Sequence, residues 1–326
     1  MEKIRWGMIG CGDVTEVKSG PAFNKVENSS LVAVMRRDTE KAKDYAQRHG
    51  VPKWYDDANE LINDSEINAI YIATPPSSHE EYALAAINAG KPVYIEKPMT
   101  LDYASANMLS KIAEEKNVKL SVAHYRRGQP LFNKVKELLN EKIIGEIRFA
   151  KLEFYKKSLI PEALNIPKVA WRVNPEIAGG GLFHDIAPHP LDLMCWFFGA
   201  IEKASGYAAQ QGKLYQADDI VSGNILFKSG VLFNGLWCFN VAEGNVKDLC
   251  EIHGSNGKMR FPIFEHKKIE IIKNDKTEEI LFEPLTHVQQ PLIQKVVNYF
   301  LDKGPNPSSG ADGAIVMKLL DDFTNK

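Results

Sequence analysis

A chain of 326 residues is longer than one hydrophobic core usually organises, so it reads as two domains. Its 40 basic and 42 acidic residues leave a formal net charge of −2, with no electrostatic footprint for nucleic acid or a membrane surface. The cysteines Cys11, Cys195, Cys238 and Cys250 lack zinc-site spacing and disulfide-scaffold density; without a signal-like N-terminus or an apolar run of about 18 residues, a cytoplasmic protein is expected.

Ile4–Ile9, Leu31–Met35, Ala69–Ala73, Val93–Ile95 and Val118–Ala123 read as strands, separated by helical periodicity over Thr39–His49, Ala58–Asn63, Glu80–Ala89 and Ser105–Lys116. Strands that read as continuous apolar runs rather than alternating ones, such as Leu31–Met35 and Ala69–Ala73, are expected of a parallel sheet covered on both faces, so residues 1–123 are predicted to form a doubly wound α/β domain. After Tyr125, alternating segments such as Ile147–Tyr155, Ile220–Phe227, Val231–Phe239 and Lys268–Ile272 predict antiparallel strands, and residues 124–326 an α+β domain. Helices are expected over Leu131–Asn140, Leu182–Phe198, Gln290–Asp302 and Asp312–Thr324.

Gly10-Cys11-Gly12-Asp13-Val14-Thr15 directly follows the first strand, the context in which a glycine pattern reads as a dinucleotide's phosphate loop. Thr15 stands where the fingerprint has Gly or Ala. The second strand ends in Arg36-Arg37-Asp38, where an NAD-specific domain places a carboxylate on the ribose. Two guanidiniums come first here and suit a 2′-phosphate, so NADP(H) is favoured and NAD(H) stays open through Asp38.

Thr74 and Pro75 leave the third of these strands at the same edge; His79 either caps the next helix or lines the cleft. Glu96-Lys97-Pro98 follows Val93–Ile95, placing a lysine where doubly wound sheets bind ligands. Gly179-Gly180-Gly181 precedes His184, Asp185 and His189. Asp185 and His189 share a face on a continuous helix, subject to the interruption at Pro188. This stretch reads as a structural helix pair, as a metal site lacking a further ligand, or as a general-base site at His189. No metal is assigned.

These motifs in this order resemble the glucose-fructose oxidoreductase / inositol 2-dehydrogenase / rhizopine-catabolism (Gfo/Idh/MocA) family over nearly the whole chain. The resemblance implies an N-terminal Rossmann domain, a C-terminal domain on a large, mostly antiparallel sheet, and catalytic Lys97, Asp185 and His189. It implies hydride transfer between a nicotinamide and a carbinol or carbonyl of a sugar, polyol or diol. His189 would move the hydroxyl proton, Lys97 stabilise the alkoxide, and Asp185 bind substrate or orient His189. Gly10 to Val14, Arg36, Arg37, Thr74, Pro75, His79, Glu96 and Lys97 are the cofactor candidates; Tyr125, Arg126, Trp171 and Arg172 join Asp185 and His189 as substrate candidates. Thr15 and Ala187 depart from the family pattern. An NAD-dependent glycosidase and a non-catalytic dinucleotide sensor are the alternatives, and an open sheet face suggests a homodimer or homotetramer.

Overall fold

Strands Ile4–Ile9 (β1), Ser29–Met35 (β2), Lys53–Tyr55 (β3), Ala69–Ile72 (β4), Val93–Ile95 (β5) and Leu120–Val122 (β6) form a parallel sheet in the order β3-β2-β1-β4-β5-β6. The computed structural model describes residues 2–265 and 267–325. All of β4, β5 and β6 is buried, as expected when helices cover both sheet faces. The expected strands are all present; β3, three residues at the sheet edge, was too short to show a period.

Contacts divide the chain into two units. Met1–Gln129 with Leu285–Met317 make the first, Pro130–Pro284 with Lys318–Lys326 the second. The linear division at residue 123 therefore needs correction, because the chain returns to complete the first unit. Helix Gln290–Phe300 buries Leu292, Ile293, Val296, Val297 and Phe300 in the core formed by Trp6, Met8, Tyr71 and Tyr94. The Phe300 ring lies 5.5 Å from that of Trp6. An amphipathic helix announces that it has a core face, but not which core receives it.

The second unit is built on eight strands: Ile147–Lys157 (β7), Ile201–Ala209 (β8), Ile220–Phe227 (β9), Leu232–Val241 (β10), Lys247–Gly254 (β11), Gly257–Phe261 (β12), Lys268–Lys273 (β13) and Lys276–Leu281 (β14). Their order is β14-β13-β12-β11-β7-β10-β9-β8, with only β7 and β10 parallel among the described pairs. Burial alternates along β9 and β10, so one face carries the core. On that face Gly206 and Gly223 pair across β8 and β9 and leave room for Phe323; a Cβ on either would collide with it. Phe149, Leu232 and Tyr207 are exposed.

Candidate active site

The first unit gathers its predicted site residues at the C-terminal edge of the sheet, where β1 and β4 part to opposite sides of the strand order. In doubly wound folds, ligands bind at such a crevice. Gly10 turns out of β1 at φ +96°, and a Cβ there would lie 2.7 Å from the Thr74 amide nitrogen, so the loops after β1 and β4 close on each other only through glycine. A Cβ at Gly12 would project into open space, the clearance a pyrophosphate requires. The loop thus fits a dinucleotide. Cys11 contributes backbone only, its side chain being 1% exposed and burial pushing the thiol up to about 11.

Thr15, the departure from the fingerprint, donates its hydroxyl to the Gly12 carbonyl at 2.8 Å and is itself buried. The helix it belongs to, Asp13–Val17 (α1), is only five residues long. The close packing that a third fingerprint glycine supplies is found instead at Gly20, where a Cβ would strike the Thr15 carbonyl and the Tyr45 hydroxyl. Tyr45, on Thr39–His49 (α2), donates to that same carbonyl at 2.7 Å. Glu16 is clamped by Arg48 of α2 through two hydrogen bonds of 2.8 and 2.9 Å.

Arg36 leaves β2 half-buried and donates from Nη1 to the Cys11 carbonyl at 3.1 Å, which sets its guanidinium beside the phosphate loop. Arg37 is exposed. Asp38 is engaged in capping α2: one carboxylate oxygen accepts from the Lys41 amide at 3.1 Å, and the other pairs with the Lys41 ammonium at 2.7 Å.

Glu96 and Lys97 follow β5 at the same edge, and the Lys97-Pro98 bond is cis. Lys97 is half-buried, whereas Glu96 is 5% exposed. Thr74 and Pro75 are half-buried in the loop after β4, with the Ser78 hydroxyl 2.9 Å from that of Thr74. His79 does not line the cleft, because its ring is fully buried. Nε2 meets the Thr74 carbonyl at 2.8 Å and Nδ1 the Pro98 carbonyl at 3.0 Å, pinning the loop after β4 to the loop that carries Lys97.

Burial pushes the His79 pKa down to about 4, outweighing the carbonyls, which favour the cation. Unfolded histidine titrates near its ordinary value of about 6.5, so below that pH the unfolded chain takes up the proton first. The resulting stability is complete above about pH 6.5 and lost as the pH falls towards about 4. Urea titrations across that window should show wild-type stability declining with acidification. His79→Gln should lack that component; an identical decline in the variant would assign it to other groups.

Tyr125 is part of the first unit's hydrophobic core, and Arg126, 2% exposed, lies over its ring at 5.4 Å to the centroid. As substrate candidates, both side chains are mostly withdrawn from solvent. Asp13 is exposed and Val14 half-buried in the first turn of α1.

The second unit carries the remaining candidates. The expected helix Leu182–Phe198 is two helices, Leu182–Ile186 and Pro188–Phe198, divided at Ala187 because Pro188 has no amide hydrogen for the His184 carbonyl. Ala187 keeps right-handed helical angles and bonds on both sides, to Phe183 and Leu191. Asp185 ion-pairs through Oδ2 with Arg172 Nε at 3.4 Å, and the guanidinium stacks over Trp171 at 4.5 Å to the centroid. Trp171, Arg172 and Asp185 therefore form one half-buried group. His189 is 4% exposed, its ring edge-on to Phe264 at 5.6 Å.

Two glycines of the triplet make room for the protein's own atoms. A Cβ on Gly180 would occupy the place of the His184 ring, and one on Gly181, at φ +78°, that of the Ala217 methyl. His184 is fully buried against Gly180. No group of three His, Cys, Asp or Glu side chains among the described residues is placed to hold a metal ion. No helix among the described residues is long and apolar enough to cross a membrane.

Two family descriptions match in tandem: an oxidoreductase family with an NAD-binding Rossmann fold over residues 4–124, and a GFO/IDH/MocA C-terminal domain over residues 132–260. The chain is also 48% identical over 321 residues to Oxidoreductase P35 of Formosa agariphila, covering 98% of each. The chain belongs to the Gfo/Idh/MocA oxidoreductase family.

Further similarity within the family is 29% identity over 260 residues to 1,5-anhydro-D-fructose reductase of Ensifer adhaerens, spanning 78% of this chain and 74% of that protein. Levoglucosan dehydrogenase in complex with NADH shares the fold at a TM-score of 0.88 and 22% identity, over 98% of this chain and 96% of that one. A Gfo/Idh/MocA member's NAD-binding Rossmann domain thus lies in the first unit, and its mostly antiparallel sheet in the second. Sequence reading missed Tyr71 and Gln289, which hold Glu96 from 25 and 193 positions away. No local signal marks either residue.

Proposed function

We propose that the chain is a cytoplasmic NADP(H)-dependent oxidoreductase acting on a carbinol or carbonyl carbon of a sugar, polyol or related diol. The observation that carries this reading is Lys97, set at the C-terminal edge of the parallel sheet beside a phosphate loop that only glycine can form. The sugar-directed name of the anhydrofructose reductase supports the substrate class. Bound there, the nicotinamide would supply or accept the hydride. Lys97 would stabilise the substrate alkoxide, His189 hold and return the hydroxyl proton, and Asp185, kept in place by Arg172, hydrogen-bond the substrate.

The choice of NADP(H) rests on Arg36, whose guanidinium lies at the loop while Asp38 is engaged with its own helix. Charge-assisted hydrogen bonds of about 1.5–3 kcal/mol correspond to a preference of about 10- to 100-fold. Arg36→Ala should weaken NADPH by that factor and NADH far less, as read by fluorescence titration; equal losses would dismiss the clamp. The open face of the second sheet, with Phe149 and Leu232 exposed, supports a homodimer or homotetramer, measurable by light scattering.

The deciding experiment mixes purified protein with NADP⁺ or NAD⁺ and a broad panel of sugars, polyols and cyclic diols, following absorbance of the reduced nicotinamide. Turnover with NADP⁺ is expected. Bound cofactor without absorbance change across the panel would overturn the reading, and glycoside cleavage without net cofactor turnover would replace it with a glycosidase.

A further inference from the structure

Glu96 is a carboxylate buried to 5% exposure beside the proposed catalytic lysine, and three donors converge on it. Its Oε1 accepts from the Tyr71 hydroxyl at 2.7 Å and from Gln289 Nε2 at 2.6 Å; its Oε2 accepts from the Lys97 amide at 3.2 Å. A buried carboxylate depends on such donors, and one left short of them must move or change its protonation. Gln289 is fully buried and heads the helix Gln290–Phe300 that brings the chain back to the first unit. Its backbone amide also donates to the Lys18 carbonyl at 3.3 Å, just past α1. The Tyr71 hydroxyl lies 3.0 Å from Ser19 Oγ on the same stretch. One network therefore joins the end of the phosphate-loop helix, the end of β5 and a residue almost two hundred positions downstream.

We propose that Gln289 and Tyr71 are positioning residues for Lys97: by fixing the Glu96 carboxylate they fix the Lys97 peptide, and through it the placement of the ammonium. This rests on the reading of Lys97 as catalytic. A lysine amide held by its neighbour's side chain follows that side chain, and a displacement of about 1 Å at a reacting group costs up to about a hundredfold in rate. The same network ties Lys97 to the segment after the phosphate loop, so lysine and cofactor loop are set as one piece.

The test uses the full chain with bound dinucleotide and the variants Gln289→Leu and Tyr71→Phe, which remove one donor each while keeping most of the shape. Gln294→Ala is the control: Gln294 lies on the same helix and accepts from the Glu27 amide, away from the network. Three quantities are read: kcat with its pH profile, dinucleotide affinity, and the rate at which acetic anhydride labels Lys97 across pH, followed by peptide mass spectrometry. The two network variants should lose about tenfold in kcat, keep dinucleotide affinity within about threefold, and displace the Lys97 labelling curve by about one pH unit. The control should change none of these.

An unmoved labelling curve overturns the proposal, as does an equal loss of kcat in Gln294→Ala. A moved labelling curve in a protein that turns over no substrate upholds the coupling and rejects the catalytic reading instead.

Discussion

His189→Ala is expected to lower turnover by about 10²- to 10⁴-fold while dinucleotide affinity stays within about threefold. The imidazole sits on the second unit and the phosphate loop on the first, so the loss should fall on kcat. Its ring is 4% exposed and packs edge-on against Phe264, which leaves alanine with a small void. His189→Phe, which fills that space without a proton-transferring nitrogen, separates chemistry from packing by losing the same factor. Lys97→Met gives the complementary result: chain length is kept and charge removed, so kcat falls by a comparable factor while the dinucleotide still binds. Steady-state kinetics beside fluorescence titrations check both, and full activity in either variant would overturn the role assigned to that residue.

Phe300→Ala should destabilise the first unit by about 3–5 kcal/mol. Total stabilities of about 5–15 kcal/mol make this a large share, and dinucleotide binding should fail at a lower urea concentration or temperature. Phe300 is 2% exposed, and its ring meets Trp6 at 5.5 Å and Tyr299 at 5.7 Å. A helix merely resting on the surface would lose less than about 1 kcal/mol on the same substitution. Denaturation followed by release of bound dinucleotide distinguishes the two.

The parallel sheet was legible because β4 and β5 are buried throughout and leave unbroken apolar runs in the sequence, and β1 is interrupted only by the exposed Arg5 near its start. The second sheet was legible only in part. Segments such as β7, β9 and β10 alternate visibly, whereas Lys276–Leu281 is mostly exposed and carries no apolar face to read. Glu96 and Lys97 declared themselves through their place after a buried strand. The residues that hold them did not: Tyr71 reads as one more apolar residue of β4, and Gln289 as a polar residue ahead of a helix. Their meaning lies in a contact across 193 positions, and local periodicity contains no term for that. Arg172 reads as a substrate candidate, and its ion-pair partner Asp185, a candidate of the same kind, lies thirteen positions on, a pairing that no local period announces.

The return of Leu285–Met317 to the first unit also sets an order of events during synthesis. Domains generally fold as units, the N-terminal one first as the chain emerges. Here the emerging Rossmann strands wait with Trp6 short of one of its aromatic neighbours, Phe300, until more than nine-tenths of the chain has left the ribosome. A ribosome stalled within the second unit would therefore hold a nascent chain without a finished dinucleotide domain, however many glycines its first strand has already delivered.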